Sequence, residues 1–353
     1  MYPQAVEIQE NISLAPYTTF GIGGPARHFC AVTSESDLLA ALDFAQKYNL
    51  PHFVLGGGSN LLVSDECYEG LVLHMQIMGV AAHPQGDFAL YDVGAGEDWD
   101  GFVYRAVQDN CAGVECLAGI PGTVGGTPVQ NVGAYGQDVA ETIASVRAYD
   151  TEAAAFVELA ATDCDFRYRQ SLFNTTEIGR YIVTRVRFAL RSGGAPQLRY
   201  ADLQRRFPAS GSTPSLPEVY DAVRAIRQTK GMLLVENDPD TCSAGSFFKN
   251  PIVEESVVAR VASELGIEPN AVPHYPAGEG HVKIPAAWLL EQVGFHKGFA
   301  MGSAGISSRH TLALINRGGA MAVDIHALRD EIIHTIVERF GIRLKQEPVE
   351  LRS

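Results

Sequence analysis

The sequence has no apolar run that approaches the roughly 20 residues needed to span a bilayer. Residues 1–11 carry Glu7 and Glu10 and lack the basic start and apolar stretch of a secretion signal. The six cysteines are scattered and form no CxxC pair, so neither a disulfide framework nor a zinc site is indicated. These absences predict a cytoplasmic protein with reduced thiols and no bound metal.

Basic charge is also scarce, since 27 lysines and arginines stand against 41 acidic residues and the net charge is −14. Such a field repels nucleic acid and anionic membranes, so we expect neither as a partner. Any anionic ligand therefore needs a local basic pocket. The 353 residues, 46% of them hydrophobic, are enough for two or three domains with their own cores.

Glycine is concentrated in two places, and the first is the run Gly56, Gly57 and Gly58, followed by Ser59 and Asn60. The run lies between short apolar segments and lets the backbone take positive φ angles and offer bare N–H groups, as anion-binding nests do. Its spacing is neither that of a dinucleotide-binding Rossmann unit nor that of a P-loop. By itself, a plain glycine turn remains an equally good interpretation.

The second concentration covers residues 119–138, with six glycines and two prolines in twenty positions. This composition excludes a long helix, and it suits a backbone that wraps a large flat ligand together with a pyrophosphate. A structural loop of this length without a ligand is uncommon, so ligand binding is favoured. Two such loops among short strands predict an antiparallel-rich α+β cofactor domain.

Periodicity predicts the regular elements. Helices are expected from an N-cap at Ser36 to a stop at 49–51, and over residues 98–110, 218–229, 254–265, 286–293 and 324–340. Strands are expected at 28–32, 53–55, 72–74, 89–94, 143–149, 156–159, 181–190 and 312–315.

Three further segments carry polar groups of chemical interest. Residues 246–250 combine a hydroxyl, a cation and a carboxamide, although a loop that leads into a core strand explains them equally simply. Arg167 and Arg169 flank Tyr168, where the plain alternative is a solvated basic turn. Residues 341–349 read as an ordinary charged C-terminal strand.

These motifs together resemble the UDP-N-acetylenolpyruvoylglucosamine reductase (MurB) family, in its longer type I form. The matches are colinear from about residue 15 to 350. They are residues 19–24 (TFGIGG), 57–62 (GGSNLL), 121–126 (PGTVGG), 131–136 (NVGAYG), 168–171 (YRQS), 245–251 (GSFFKNP) and 282–292, which begins VK and ends WLLEQ.

The resemblance implies an α+β fold, with a two-subdomain FAD-binding module of the PCMH (vanillyl-alcohol-oxidase) type and a C-terminal α+β substrate domain. The expected bounds are 1–75 and 76–232 for the FAD subdomains, rejoined by 341–353, and 233–340 for the substrate domain. The expected cofactor-binding residues are Gly56, Gly57, Gly58, Ser59, Asn60, Pro121, Gly122, Thr123, Gly125, Gly126, Asn131, Gly133, Ala134 and Tyr135.

The resemblance also implies roles for individual side chains. Ser246 is the expected proton donor, and Arg169 and Glu347 are the other expected catalytic residues, with Glu350 as the fallback for Glu347. His310 stands where relatives often carry glutamine. The expected substrate-binding residues are Tyr200, Lys230, Asn250, Tyr275, Lys297 and His310.

The leading hypothesis is reduction of UDP-N-acetyl-3-O-(1-carboxyvinyl)-glucosamine to UDP-N-acetylmuramate, a step in peptidoglycan precursor synthesis, with bound FAD and NADPH as hydride source. An FAD-linked oxidase or dehydrogenase that acts on another small substrate is the alternative enzyme hypothesis. A flavin- or nucleotide-binding regulator without activity is the third. We expect a monomer in each case.

Overall fold

The structure is a computed structural model that describes residues 6–353. Part of the N-terminal segment assessed for a secretion signal, residues 1–5, lies outside the described residues. The chain divides into two compact units. Within the described residues, the first comprises residues 6–12, Ala26–Gly57 and Glu69–Thr229, and the second comprises Ser13–Pro25, Gly58–Tyr68 and Lys230–Ser353.

The regular elements are short and numerous. The strands are Gln9–Ser13 (β1), Pro25–Val32 (β2), His52–Leu55 (β3), Leu61–Val63 (β4), Tyr68–Met75 (β5), Val80–Gln85 (β6), Phe88–Gly94 (β7), Cys111–Ala112 (β8), Gly133–Ala134 (β9), Gln137–Asp138 (β10), Ile143–Asp150 (β11), Ala155–Ala160 (β12), Tyr181–Ser192 (β13), Ile252–Glu254 (β14), Tyr275–Pro276 (β15), His281–Lys283 (β16), Ala300–Met301 (β17), Ala304–Ile306 (β18), Leu314–Asn316 (β19) and Val349–Leu351 (β20). The α-helices are Glu35–Lys47 (α1), Trp99–Gln108 (α2), Ala201–Arg206 (α3), Leu216–Thr229 (α4), Ser256–Leu265 (α5), Ala286–Gln292 (α6) and Ala322–Phe340 (α7).

The first unit is built on two sheets. A four-stranded sheet has the order β1-β2-β5-β3, and β3 runs parallel to β5. The other sheet has the order β12-β11-β13-β7-β6, and each pair of neighbouring strands in this order is antiparallel. Strand β13 alternates buried and exposed side chains over most of its length, as expected for a strand with one face on the core. The predicted antiparallel-rich character is therefore present.

Helix α1 begins two residues earlier than the sequence pattern suggested. The Ser34 side chain, not that of Ser36, caps it by accepting a hydrogen bond from the Asp37 backbone N–H. The prediction of Ser36 as N-cap was therefore wrong, because both serines suit the role and only the extended backbone at Ser34 decides between them. Asp98 caps α2 through the Gly101 N–H at 2.7 Å, as its position before the helix indicated.

The core of the first unit centres on aromatic side chains. Trp99 is fully enclosed, and its indole Nε1–H donates to the carbonyl of Leu117 at 3.1 Å. Its ring packs on Phe102 and Phe188, each with centroids 5.8 Å away. These contacts fix the start of α2 on the sheet. Leu117, which accepts the indole hydrogen bond, lies just before the glycine-rich residues 119–138 in the sequence.

The second unit combines three small sheets with three helices. The sheets are the parallel pair β4-β20 and the antiparallel triplets β14-β16-β15 and β17-β18-β19. Helix α7 carries apolar side chains at three- and four-residue spacing along one face, and these are buried: Ile325, Leu328, Ile332, Ile336 and Phe340.

Asp65 supplies the cap of α7 from a distant part of the chain. Its carboxylate accepts hydrogen bonds from the N–H groups of Ala322 and Val323 at 2.8 and 3.1 Å. A carboxylate at this end also faces the positive end of the helix dipole. Gly341 ends the helix in a left-handed conformation with φ of 65°.

Several element boundaries differ from those expected. Strand β6 was not predicted, because most of its side chains are exposed and it shows little apolar alternation. The strand expected at 312–315 is observed as β19, and the helix expected from 254 begins at Ser256 because β14 occupies the preceding residues. The division into three domains at 75, 232 and 340 stays a prediction. Across residues 6–353, no helix is long and apolar enough to cross a membrane.

Candidate active site

The two glycine-rich segments of the first unit lie directly against each other. A Cβ added to Gly57 would meet the Gly122 Cα at 2.6 Å, and one added to Gly56 would meet the Thr123 Oγ1 at 2.7 Å. Glycine is needed at both positions because the segments approach too closely for any side chain. In the expected run of three, only Gly58 adopts a positive φ, of 60°. Gly56 and Gly57 are therefore explained by their close contact with residues 122–123, and only Gly58 is explained by its backbone conformation.

This contact borders a cavity of about 630 Å³ in the first unit. Its lining includes residues that the motifs did not single out. They are Thr33, His74, Met75, Gln76, Met78 and Gly96, which join Gly56, Gly57 and Thr123. Burial lowers the pKa of His74, which favours a neutral imidazole there. The sequence provided only a weak indication that these residues line a cavity. That indication was the presence of polar residues at the end of the apolar strand expected at 72–74.

Residues 133–138 form a tight hairpin in which β9 pairs with β10. Its two loop residues, Tyr135 and Gly136, have φ of 50° and 84°, the signs required by a type I′ turn. At Gly133 a Cβ would fall 1.5 Å from the Asp138 Oδ1, so a side chain there would require the Asp138 carboxylate to move. The hairpin thus places the phenol of Tyr135 on a sharply defined turn.

Asn131 shapes the same segment from inside. It is buried with φ of 44°, its Nδ2 donates to the carbonyl of Arg167 at 3.0 Å, and its Oδ1 accepts from the Ala140 N–H at 3.2 Å. The carboxamide is thus engaged with the protein on both sides. These two hydrogen bonds fix the shape of the loop, and the contact of Asn131 with the cofactor stays a prediction.

Arg169 occupies a strained position in a turn. The turn is closed by reciprocal backbone hydrogen bonds between Arg167 and Gln170, and Arg169 itself has φ of 56°. Its Nη2 donates to the carbonyl of Gly133 at 2.7 Å, and its guanidinium lies over the Tyr168 ring at 5.5 Å. These contacts hold the guanidinium beside the 133–138 hairpin, which a solvated basic turn does not explain.

Two buried polar residues missed at the sequence level fix these segments. Ser171 is fully buried and donates to the carbonyl of Val129 at 2.5 Å, which ties the arginine turn to the glycine-rich segment. Arg227 donates through Nε to the carbonyl of Gly119 at 3.0 Å, and the Gly119 N–H donates to Asp100 at 2.6 Å. Burial lowers the pKa of Arg227, although an arginine remains charged at neutral pH.

In the second unit, residues 246–249 run between two other segments. The Phe247 N–H donates to the carbonyl of Leu312 at 2.8 Å, and the Phe247 carbonyl accepts from the Glu347 N–H at 2.8 Å. Phe248 forms a β-bridge with Gln346. Both phenylalanines are buried in the core, as the plain interpretation of this stretch expected. Ser246 is therefore held by backbone contacts on either side.

The Ser246 hydroxyl meets His310. Its Oγ lies 3.2 Å from the imidazole Nε2, within hydrogen-bonding distance. His310 was expected to contact substrate, and its pairing with Ser246 was not predicted, because the two residues are 64 positions apart. The structure thus brings Ser246, His310 and the backbone of Glu347 into one cluster.

Glu347 and Glu350 have different surroundings. Glu350 forms ion pairs with Arg329 and Arg352. Burial alone would raise the pKa of Glu350, but hydrogen bonds with Arg352 and Gln346 and the charge of Arg329 hold it below its usual value. Glu350 therefore has a structural role, as the partner of two arginines. The Glu347 backbone is fixed next to the serine segment, and its carbonyl accepts from the Asn60 Nδ2 at 3.4 Å.

The N-terminal part of the second unit buttresses this cluster. Thr19 donates through Oγ1 to the carbonyl of Ser243 at 2.6 Å, and the Asn60 carbonyl accepts from the Val349 N–H at 2.9 Å. A Cβ at Gly58 would fall 1.9 Å from the Tyr17 carbonyl oxygen. The TFGIGG and GGSNLL motifs therefore hold the segments that carry Ser246 and Glu347.

The remaining predicted substrate residues are spread over both units. Asn250 uses its Oδ1 to accept from the Ala286 N–H at 2.9 Å, at the start of α6. In the first unit, the Tyr200 ring packs edge-on against Tyr135 with centroids 5.2 Å apart. In the second unit, Tyr275 and Lys297 are exposed and Lys230 is half-buried. Clusters of His, Cys, Asp or Glu that could hold a metal ion are absent from the described residues.

Comparison with known proteins agrees with this arrangement along the whole chain. Residues 238–351 match the family described as the C-terminal domain of UDP-N-acetylenolpyruvoylglucosamine reductase. Residues 26–156 match a family described as an FAD binding domain. The UDP-N-acetylenolpyruvoylglucosamine reductase of Thermobifida fusca is 46% identical over 346 residues, 96% of each chain. That of Streptomyces coelicolor is 44% identical over 98% of this chain and 91% of its own.

The chain belongs to the UDP-N-acetylenolpyruvoylglucosamine reductase family. Among solved structures, the family member from Thermus caldophilus is 25% identical with a TM-score of 0.65, over 98% of this chain and 99% of its own. The resemblance seen in the motifs, the α+β fold and the FAD-binding module are thereby confirmed. The roles of individual residues stay predictions.

Proposed function

We propose that this chain is the reductase that converts UDP-N-acetyl-3-O-(1-carboxyvinyl)-glucosamine to UDP-N-acetylmuramate for peptidoglycan synthesis. FAD is its bound cofactor, NADPH is its reductant, and the UDP-sugar is its small-molecule partner. Family membership over nearly the full chain supports this reaction. The observation that carries the site assignment is the placement of Ser246, whose neighbour Phe247 is hydrogen-bonded through its backbone to Leu312 and Glu347.

The residues present in the first unit fit FAD. Gly56 and Gly57 lie against residues 122–123, and three of the nine residues that line the cavity beside them are glycines, whose bare backbone can approach a pyrophosphate. We assign FAD binding to the fourteen residues predicted from the motifs, together with Thr33, His74 and Gln76 from the cavity wall. These residues would hold FAD, which would supply the hydride chemistry that connects NADPH with the enolpyruvyl group.

Arg169 is assigned to the substrate carboxylate. Hydride addition at the β-carbon places extra negative charge on the carboxyl oxygens, so a fixed cation stabilises the transition state more than the ground state. The guanidinium fork matches a carboxylate in two parallel hydrogen bonds. The contacts of Arg169 with Gly133 and Tyr168 pre-organise it for this role.

Ser246 is assigned as the proton donor to the α-carbon. A serine hydroxyl is a weak acid toward most bases, but a carbanion is basic enough to accept its proton. The donation breaks the Oγ–H bond and forms the C–H bond at the α-carbon, and solvent water restores the serine proton. The backbone bonds of Phe247 hold the serine in a fixed register for this transfer.

Glu347 is assigned to the same carboxyl group, through a hydrogen bond to it or to an ordering water. This role requires a protonated carboxyl beside a buried anion, an environment that raises a carboxyl pKa. Because Glu350 is held by Arg329 and Arg352, Glu347 is the better candidate of the two.

The remaining assignments concern the UDP group and the sugar. Lys230 and Lys297 supply positive charge for the phosphates, which a chain of net charge −14 must concentrate locally. Asn250 would contact the diphosphate through its amide nitrogen, because its oxygen binds Ala286. Tyr200, Tyr275 and His310 complete the proposed substrate contacts.

We also propose that the enzyme acts as a cytoplasmic monomer without nucleic-acid or membrane partners. The six cysteines are free thiols, which suits a reducing compartment. The acidic net charge disfavours polyanions.

The test is an anaerobic reaction followed by the flavin spectrum. The purified protein should be yellow, should bleach with NADPH and should regain its colour when the enolpyruvyl nucleotide is added. Reoxidation by oxygen but not by the nucleotide would instead support the oxidase alternative. A colourless protein that cannot be reconstituted with FAD would refute both.

A further inference from the structure

His310 lies in a loop of the second unit whose neighbouring residues are each fixed. The loop spans residues 307–313 and is closed at its base by the Ser307 N–H, which donates to the Ala313 carbonyl at 2.9 Å. Within it, the His310 carbonyl accepts from the Ala313 N–H at 3.1 Å. The backbone on which the imidazole stands is therefore tightly constrained.

Side chains anchor the loop on both sides of the histidine. Asp240 accepts from the Ser308 N–H at 2.7 Å and from its Oγ at 2.6 Å. Arg309 forms ion pairs with Asp238 and Asp240. On the other side, Thr311 donates through Oγ1 to Glu291 at 2.7 Å. Such over-determined positioning is typical of the supports of a reacting group.

The serine that faces the imidazole is equally constrained. Its neighbour Phe247 is bonded to Leu312 in this same loop and to Glu347 on the other side. The 3.2 Å separation of Ser246 Oγ and His310 Nε2 therefore joins two rigid segments. A contact between rigid segments fixes the hydroxyl in a way that a mobile pair of side chains would not.

We propose that His310 is the positioning residue of Ser246, through an Nε2–H that donates to the serine Oγ. This inference rests on the proposed function, in which Ser246 protonates the α-carbon. If the imidazole donates, the hydroxyl proton is directed away from the histidine and is available for transfer. The same hydrogen bond stabilises the negative charge that develops on Oγ as the proton leaves.

The role differs from the substrate contact expected from the motifs. A substrate contact acts with or without Ser246, whereas a positioning residue acts only through it. A double-mutant cycle separates the two roles because residues that act as a unit are strongly non-additive.

Two variants at His310 separate hydrogen bonding from bulk. His310→Gln keeps an amide N–H at similar reach, and His310→Leu fills similar space without a donor. Under anaerobic conditions we expect His310→Leu to slow flavin reoxidation by the enolpyruvyl nucleotide about 10- to 100-fold. His310→Gln should slow reoxidation less than His310→Leu does, because its amide N–H can still donate to the serine Oγ. Reduction by NADPH and FAD content should be unchanged in both, which also checks that the variants fold.

The deciding comparison uses Ser246→Ala as background. Adding His310→Leu to Ser246→Ala should cause no further loss in the reoxidation rate. A further tenfold fall, equal losses in the Gln and Leu variants, or normal reoxidation in His310→Leu would overturn the proposal. A wild-type enzyme that the nucleotide does not reoxidise, or a Ser246→Ala variant with normal reoxidation, would instead refute the proposed function or its proton donor.

Discussion

The predicted functional surfaces of the two units differ in the chemical groups that they present. In the first, the segments assigned to FAD approach so closely that a Cβ at Gly57 would meet the Gly122 backbone, and three of the nine residues that line the cavity beside them are glycines. In the second, the cluster consists of side chains, with the Ser246 hydroxyl against the His310 imidazole. Backbone surfaces suit the binding of a large cofactor, whereas single side chains suit the delivery of one proton.

This contrast has a direct experimental consequence. Side-chain substitutions in the second unit should change one half-reaction and leave cofactor content intact. Glycine substitutions in the first unit should change cofactor content before anything else. Arg169 is an exception to this contrast, because it lies in the first unit but is predicted to be a catalytic side chain.

The largest effect is expected for Ser246→Ala. Reoxidation of the flavin by the enolpyruvyl nucleotide should fall by more than about 10⁴-fold, beyond the usual contribution of a general acid, because serine is the donor itself. Reduction by NADPH should remain near normal, as measured by anaerobic stopped-flow absorbance. Ser256→Ala, at the exposed start of α5, is the matched control. Equal losses in both half-reactions would remove Ser246 from the donor role.

A smaller loss is expected for Arg169→Ala. Without the guanidinium, the charge that develops on the substrate carboxylate is less stabilised, and reoxidation should fall by about 10²- to 10³-fold. Arg167→Ala, in the same turn, is the control because Arg167 pairs with Asp165 on the surface. If both variants lose the same activity, the turn matters as a structure and Arg169 has no special role.

Cofactor retention should distinguish two glycines in the first unit. Gly57→Ala forces a Cβ to within 2.6 Å of the Gly122 Cα, so overpacking of about 1–3 kcal/mol should weaken FAD binding roughly 10- to 100-fold. At Gly126 an added Cβ meets nothing within 4 Å, and Gly126→Ala should retain more FAD. Fluorescence titration of the apoprotein with FAD measures both. The reverse ranking would contradict the close contact of the two segments.

The smallest effects are expected for substitutions of the two C-terminal glutamates, Glu347 and Glu350. Glu350→Gln should lower the free energy of unfolding by about 1–2 kcal/mol at pH 7, because Arg329 and Arg352 lose a charged acceptor. Since the pKa of folded Glu350 is lowered, its contribution is present above the unfolded value of about 4.3 and disappears as pH falls through the folded pKa.

The pH dependence of thermal unfolding checks this result. The difference in melting temperature between wild type and Glu350→Gln should shrink as the pH is lowered below 4. Glu347→Gln should show the opposite pattern, with slower reoxidation and nearly unchanged stability. A Glu350→Gln variant with normal stability and lost activity would transfer the catalytic assignment to Glu350.

Much of the fold followed from periodicity. Helix α7 was predicted almost to its bounds, since apolar residues every three or four positions leave one face to bury. The long strands β11 and β13 were found for the corresponding reason of alternation. Strand β6 was missed because its side chains are mostly exposed, and the cap at Ser34 was missed because a second serine lies two residues later.

The sequence by itself determined the family and the reaction that the family implies, and it predicted the residues that carry the chemistry, because these depend on residue types in a fixed linear order. Only the tertiary structure decided how those residues are supported. The contact of residues 56–57 with 122–123, the pairing of Ser246 with His310, and the commitment of Glu350 to Arg329 join positions far apart in the chain. The spacing of such positions in the sequence does not reveal how far apart they lie in space. Packing and backbone hydrogen bonds determine that distance.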